Sequence, residues 1–433
     1  MQMTDYPRIG ERLYREVLPN GLRINIVPKP GFGSYFAAFA TDYGGAARRF
    51  ELGGELIDTP AGVAHFLEHK MFDLPDGDNA MTLLSANGAD PNAFTSAGMT
   101  CYFFQCTTNF DDNLRLLLHF VSTPYFTEET VQKEQGIIAQ EILMGEDSPD
   151  QKLYYNLLEL LYKQHPIRDK VAGTVESIAE ISAETLYNCH RAFYAPVNMT
   201  LCIAGDVDPE RIRAIAVEEL PQERGELPKA DFGPEESLLP TAAERWETMS
   251  VSAPIFMIGA KLRPEKDGAA AMRQQLITAL ALRLLVGSSS PFYTGLYAKG
   301  LLSRDYDYEA DFSAGTGTII ISGESADPEQ VLKALLDAAE QVSAEGIDPE
   351  RFERSKRASF GARLRGLEDF ENICYSLAAA EFDGYCALDA IDALAAVEKA
   401  ECEAFIRENI TAERLAMAVI SPKRDADPET QEA

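Results

Sequence analysis

Two hydrophobic rhythms run along this chain. Short apolar runs bounded by Gly, Pro, Asn or Asp predict strands at 21–28, 34–43, 100–107, 199–204, 255–262, 316–322 and 414–420. Longer segments with apolar positions three and four apart predict helices at 60–72, 79–87, 109–122, 128–144, 183–193, 209–219, 274–285, 329–345 and 396–408. The strands cluster between long helices without strict alternation. That arrangement predicts an α+β fold with largely antiparallel sheet.

The stretch LPQERGELPKADFGPEESLLPTAAERW has no sustained apolar face and is rich in Pro, Glu and Gly. It is the expected linker, 221–247, between domains at 1–220 and 248–433. The halves echo one another. An apolar strand, a turn and Asp-Pro-Glu opening an amphipathic helix occur in MTLCIAGDVDPERIRAIAVEEL and again in GTIIISGESADPEQVLKALLDAAEQV. Asp208 and Asp327 are the expected N-caps, each followed by Pro at the first helical position. One matched element hints at an internal duplication.

Composition narrows the partners. The 433 residues are 46% hydrophobic and 25% charged, the proportions of an ordinary globular protein. A formal net charge of −30 argues against nucleic acid and anionic membrane surfaces as partners. No run of about 18 apolar residues predicts a membrane span, and LITALALRLL is expected as a core helix. The first residues lack a secretion signal's apolar stretch, and the seven cysteines are scattered. The expected location is the cytoplasm.

The chemistry concentrates in His65-Phe66-Leu67-Glu68-His69. Thr59-Pro60 upstream is the expected helix start, with Thr59 as N-cap. In a helix His65 and His69 lie one turn apart on one face, with Glu68 beside them. Two imidazoles so spaced can share a zinc ion, and a neighbouring carboxylate can take a proton from water at that ion. The bland alternative is a helix with two solvent-facing histidines. Only five His occur in the chain, and a chance match in this length arises on the order of one time in a hundred. Further on, Glu134 and Glu141 lie two turns apart on one predicted helix face, interleaved with Ile137 and Ile138. They can face a cationic site from below or form a salt-bridged, solvated stripe. Tyr102 and His119 are expected to pack or lie at the surface, and His165 and His190 to be structural.

The ordered set HFLEHKMF, NAFTS at 92–96 and KEQGIIAQEILM at 133–144 resembles the pitrilysin, insulinase and mitochondrial-processing-peptidase family of inverted zincins. The resemblance covers nearly the whole chain, with specific motifs only in its first half. It implies two homologous α/β-roll domains, each an antiparallel sheet packed with helices. It also implies a zinc endopeptidase in which Glu141 completes the His65–His69 ligand set, Glu134 supports it and Glu68 is the base. Asn92, Ala93, Phe94 and Thr95 resemble the family's edge-strand segment, to which peptide substrates add as an extra strand. Asn92 would then position the scissile amide and Ala93 pair with substrate backbone.

The second half departs from self-sufficient family members. Tyr297 stands where they carry Arg, and Arg304 lies near where they carry Tyr. The resemblance therefore implies the metal-bearing subunit of a bacterial two-subunit pair. A related partner would supply the Arg and Tyr, or a homodimer would form. The competing expectation, from a different class, is a non-catalytic zinc-binding scaffold subunit of such a heterodimer.

Overall fold

A computed structural model describes residues 1–423, so the last ten residues of the expected second domain, 424–433, lie outside the described residues. In chain order the strands are β1 (Gln2–Tyr6), β2 (Glu11–Val17), β3 (Arg23–Pro28), β4 (Tyr35–Thr41), β5 (Arg49–Leu52), β6 (Glu55–Asp58), β7 (Ala89–Thr95) and β8 (Thr100–Cys106). There follow β9 (Met199–Gly205), β10 (Lys229–Ala230), β11 (Glu244–Met249), β12 (Ile255–Leu262), β13 (Asp307–Ser313), β14 (Thr316–Glu324) and β15 (Ala416–Pro422). The helices that matter below are α1 (Val63–Lys70), α2 (Ala80–Ala86), α3 (Phe110–Ser122), α4 (Glu128–Glu146) and α5 (Pro149–Leu161).

A seven-stranded sheet in the order β1-β2-β3-β9-β4-β8-β7 is the frame of the first compact unit. Its central strands β4 and β9 are apolar almost throughout because both faces of the sheet are covered. Phe39, Tyr102, Phe104, Leu201 and Ile203 point into the core that includes α1 and α3. The alternate residues point the other way, where the helix Phe370–Phe382 packs on β9 and β4. There Phe36 and Phe103 meet Tyr375 at ring-centroid distances of 5.7 and 5.4 Å.

The second unit is built on a five-stranded sheet in the order β11-β15-β12-β14-β13. Phe256, Ile258, Ile319, Ile321, Met417 and Val419 face its main core. The opposite face is covered by α5, which packs on β15, β12 and β11. Gly259 permits this approach, since a Cβ there would lie 2.9 Å from a methyl carbon of Leu157. The 19-residue helix Gly268–Val286 contains the LITALALRLL segment. Its stretch is long and apolar enough to cross a membrane by length and composition. Leu276, Leu280, Ala281 and Leu285 are nevertheless buried in the second core, as expected of a core helix.

The division at 221–247 does not coincide with these units. The first unit comprises 1–142, 169–232 and 362–388; the second takes 143–168, 233–361 and 389 onward. The chain passes between units at 232/233, inside the expected linker, but strand β11 (Glu244–Met249) begins within that linker. Each unit also takes one helix from the other half of the sequence: α5 lies on the second sheet, and Phe370–Phe382 on the first. A helix's periodicity reveals that it has an apolar face, not which sheet that face will cover.

The duplication is real, but on other elements than the Asp-Pro-Glu echo. Both sheets contain a parallel pair, β3 with β9 and β11 with β15, continued by three antiparallel pairings. Matching them in order aligns β3-β9-β4-β8-β7 with β11-β15-β12-β14-β13. The counterpart of β14 is therefore β8, and that of β9 is β15. The Asp-Pro-Glu segments still form the same local structure at non-equivalent places, because Asp208 and Asp327 each accept a backbone N–H and Pro occupies the first turn.

His190 is buried in the first core, its Nε2–H donating to the Val121 carbonyl at 3.0 Å and its ring stacked on Tyr194. Burial pushes its pKa down to about 4, against a smaller upward pull from that hydrogen bond. The unfolded chain protonates this histidine near its ordinary value of 6.5, the folded chain only near 4. Stability is therefore lost as pH falls through that window, by up to about 3 kcal/mol. Urea unfolding from pH 7 to 4.5 is expected to show a shallower acid loss in His190→Gln than in the wild type. Equal slopes would exclude His190 as a contributor.

Candidate metal centre

The helix carrying the His-Glu-His motif starts later than Thr59-Pro60 suggests. Gly62 caps α1 with a φ of 96°, and a Cβ there would lie 2.6 Å from the Ala172 carbonyl oxygen. Thr59 instead donates its hydroxyl to the Arg48 carbonyl. From Val63 the helix is two-faced by composition. Val63, Ala64, Phe66 and Leu67 are buried, while His65, Glu68 and His69 share the half-buried side. The two imidazole rings lie 4.6 Å apart, centre to centre.

The second contributor is α4, anchored by Val131, Ile138 and Ile142 in the first core. That buried stripe turns Glu134 and Glu141 together toward α1. Ile138 is buried, whereas Ile137 is 48% exposed. Glu134 Oε1 lies 3.0 Å from His69 Nδ1. This contact fixes the ring and leaves Nε2 directed at Glu141, whose Oε2 lies 3.5 Å away. Glu141 Oε1 lies 3.4 Å from His65 Nε2. Ligand atoms of the three side chains all lie within 4.8 Å of one another, and Glu141 is half exposed on the open side.

Zinc fits this arrangement. A tetrahedron with metal–ligand arms of ~2.0–2.1 Å has edges of roughly 3.3–3.4 Å. The His65–Glu141 and His69–Glu141 separations, each measured to a different carboxylate oxygen, are of that size, and one ligand atom from each of the three side chains lies within 4.8 Å of the others. The donor set of two imidazole nitrogens and a carboxylate is that of hydrolytic zinc sites. A carboxylate behind one imidazole is the usual means of fixing a ligand's orientation. The imidazoles and carboxylates also shift one another. Burial lowers the His69 pKa, but the Glu134 hydrogen bond and charge, helped by Glu141 and Glu68, raise it overall. The contact with His65 holds the Glu141 carboxyl below its ordinary range against burial. Burial raises Glu134, yet His69 outweighs it and the net shift is downward.

The segment at 92–95 is neither turn nor interior strand. It is the end of β7, an edge strand paired only with β8 among the described residues. In that register Ala93 lies opposite Tyr102 and Thr95 opposite Thr100, whereas Asn92 and Phe94 oppose Phe103 and Cys101. The strand therefore splits its side chains. Ala93 and Thr95 lie on the α1 side, where the Thr95 hydroxyl donates to Glu68 Oε2 at 2.5 Å. Phe94 packs on the other side against Tyr375, 5.1 Å between centroids. Asn92 is exposed, its Oδ1 accepting the Ala93 N–H.

Other candidates fall outside this cluster. Tyr102 is buried and hydrogen-bonded to Tyr194 at 2.8 Å; His119 is exposed on α3; His165 is buried, its Nδ1 accepting the Ile167 N–H. Tyr297 is 46% exposed and stacked on Tyr293, and Arg304 is exposed. The expectations missed the tie between Thr95 and Glu68. Strand alternation was the available signal, but it cannot be read without the register.

A profile described as "Insulinase (Peptidase family M16)" matches residues 53–175, and one described as "Peptidase M16 inactive domain" matches 180–359. The zinc protease YmfH of Bacillus subtilis, itself uncharacterized, is 38% identical over 97% of this chain and 99% of its own length. The chain belongs to the M16 peptidase family. Among solved structures, a chain described as an M16-like peptidase of Alicyclobacillus acidocaldarius is similar with a TM-score of 0.92. It is 30% identical, over 97% of this chain and 100% of that one. Pitrilysin shares the fold, with a TM-score of 0.76 at 16% identity, over 95% of this chain and 45% of that one.

Proposed function

We propose that this M16 chain is a zinc-dependent endopeptidase in which His65, His69 and Glu141 hold the metal and Glu68 is the general base. The observation carrying this reading is the convergence of two Nε2 atoms on the two Glu141 oxygens, at 3.4 and 3.5 Å, with Glu68 on the same face of α1. When bound, zinc supplies Lewis acidity that polarises a peptide carbonyl and makes a nucleophile of water near neutral pH. Glu68 takes the proton of the attacking water and returns it to the leaving amine. Glu134 keeps the His69 ring oriented throughout.

The free edge of β7 suits an extended peptide, which adds as a further strand through backbone hydrogen bonds. The family resemblance gives Asn92 the task of positioning the scissile amide and the Ala93 backbone that of pairing with substrate, although the Asn92 side chain lies on the face of β7 away from α1. A net charge of −30 favours substrates or partners of opposite sign. Seven free, buried cysteines suit work in the reducing cytoplasm. Tyr297 and Arg304, displaced from the pattern of self-sufficient members, support a homologous partner subunit that supplies the substrate-binding Arg and Tyr.

The test is peptide cleavage by the zinc-loaded chain, alone and mixed with an M16 subunit that carries the Arg and Tyr. Cleavage only in the mixture is the expected result. Cleavage by the chain alone would overturn the need for a partner. Silence in both, with zinc bound, would replace the peptidase with the zinc-binding scaffold.

A further inference from the structure

We infer that Thr95 is a positioning residue for the base: its hydroxyl clamps one oxygen of the Glu68 carboxylate so that the other is presented to the attacking water. This rests on the proposed peptidase reading and assigns Thr95 a task other than contact with substrate.

Three observations carry it. First, Thr95 Oγ1 lies 2.5 Å from Glu68 Oε2. An ionised carboxylate only accepts hydrogen bonds, so the proton in this bond is Thr95's. A bond to a charged acceptor at this length is among the stronger side-chain contacts. Second, the strand fixes the direction of that hydroxyl. Thr95 pairs with Thr100 on the face of β7 that meets α1, so the backbone ladder and not side-chain chance aims it at Glu68. Third, Thr95 has a fixed neighbour. Thr100 is fully buried and donates its one hydroxyl proton to the Tyr43 carbonyl at 2.8 Å, so its oxygen, 3.3 Å from Thr95 Oγ1, packs against Thr95 and leaves the Thr95 proton for Glu68.

The physical need is plain. A glutamate side chain has three rotatable bonds, and α1 fixes only its Cα. Unclamped, the carboxylate samples orientations in which neither oxygen meets the water, and a misplacement of ~1 Å can lower a rate on the order of 10²-fold. Because β7 is also the edge offered to peptide, one strand aligns both substrate and base. Substrate registered on the backbone of 92–95 is then held at a fixed distance from Glu68.

The test compares Thr95→Val, which keeps the β-branched shape and removes the hydroxyl, with Thr95→Ser, which keeps the hydroxyl. Thr95→Val is expected to lower kcat by about 10–100-fold with KM near the wild-type value and full zinc content. Thr95→Ser is expected to recover most of kcat. A crystal structure of zinc-loaded Thr95→Val should show the Glu68 carboxylate rotated or spread over several orientations. Wild-type kcat in Thr95→Val overturns the inference, as does equal damage in both variants. A rise in KM at unchanged kcat also overturns it and returns Thr95 to the substrate strand. If the wild type cleaves no peptide in any mixture, the peptidase reading fails, and the crystal structures still decide the clamp: a Glu68 carboxylate unmoved in Thr95→Val overturns it.

Discussion

Glu68→Gln is expected to lower peptide turnover by about 10²–10⁴-fold, the usual contribution of a general acid–base group, while leaving zinc bound. The substitution preserves shape and removes the basicity. A glutamine side-chain oxygen still accepts the Thr95 hydroxyl, so the local packing that holds β7 to α1 persists. The proposed ligands His65, His69 and Glu141 are not altered. Metal analysis of the purified variant should therefore give wild-type stoichiometry beside a collapsed kcat. Undiminished turnover would remove Glu68 from the mechanism. Loss of zinc together with activity would mean that the carboxylate serves the metal rather than the water.

The second large effect falls on Glu141. Among the described residues its carboxylate is the one that spans both imidazoles, with one oxygen near each Nε2. Glu141→Gln replaces a charged ligand with a neutral amide and is expected to weaken zinc retention by more than the roughly 10–100-fold typical of losing an outer partner. Chelator competition followed by metal analysis reads this directly. The apo fold should hardly notice, because the side chain is half exposed and such surface changes usually stay within about 0.5 kcal/mol. Matching unfolding curves for the two apo proteins would separate metal loss from misfolding. Full zinc occupancy under chelation would strike Glu141 from the ligand set.

These two variants probe a centre whose parts were unequally legible. His65, Glu68 and His69 were readable because helical spacing puts residues four apart on one face whatever surrounds them. Glu134 and Glu141 were readable as a same-face pair, but periodicity alone left open whether they met a cation or solvent. The burial of Val131, Ile138 and Ile142 turns the carboxylates toward α1 and its two histidines. The helix start at Thr59-Pro60 was misjudged because local capping rules weigh only local residues. The close approach of the Ala172 carbonyl, which admits a glycine at 62, comes from a loop more than a hundred positions away.

Strands followed the same division. Those of the sheet centres, such as β9 and β12, announced themselves as apolar runs because both of their faces are covered. The edge strands β1, β7 and β13 carry mixed side chains and did not. Helices α5 and Phe370–Phe382, absent from the expected set, are the two that each unit draws from the other half of the chain.

The sequence by itself therefore determined the mixed α/β character and the His-Glu-His face, since these depend on periodicity and spacing within single segments. Only the tertiary structure decided which elements correspond between the halves, which sheet each exchanged helix covers and which side of β7 each of residues 92–95 faces. Those outcomes depend on strand register and on contacts between residues far apart in the chain. A one-residue shift of register would turn Thr95 away from Glu68 and Phe94 toward it, with no change in the sequence's local pattern.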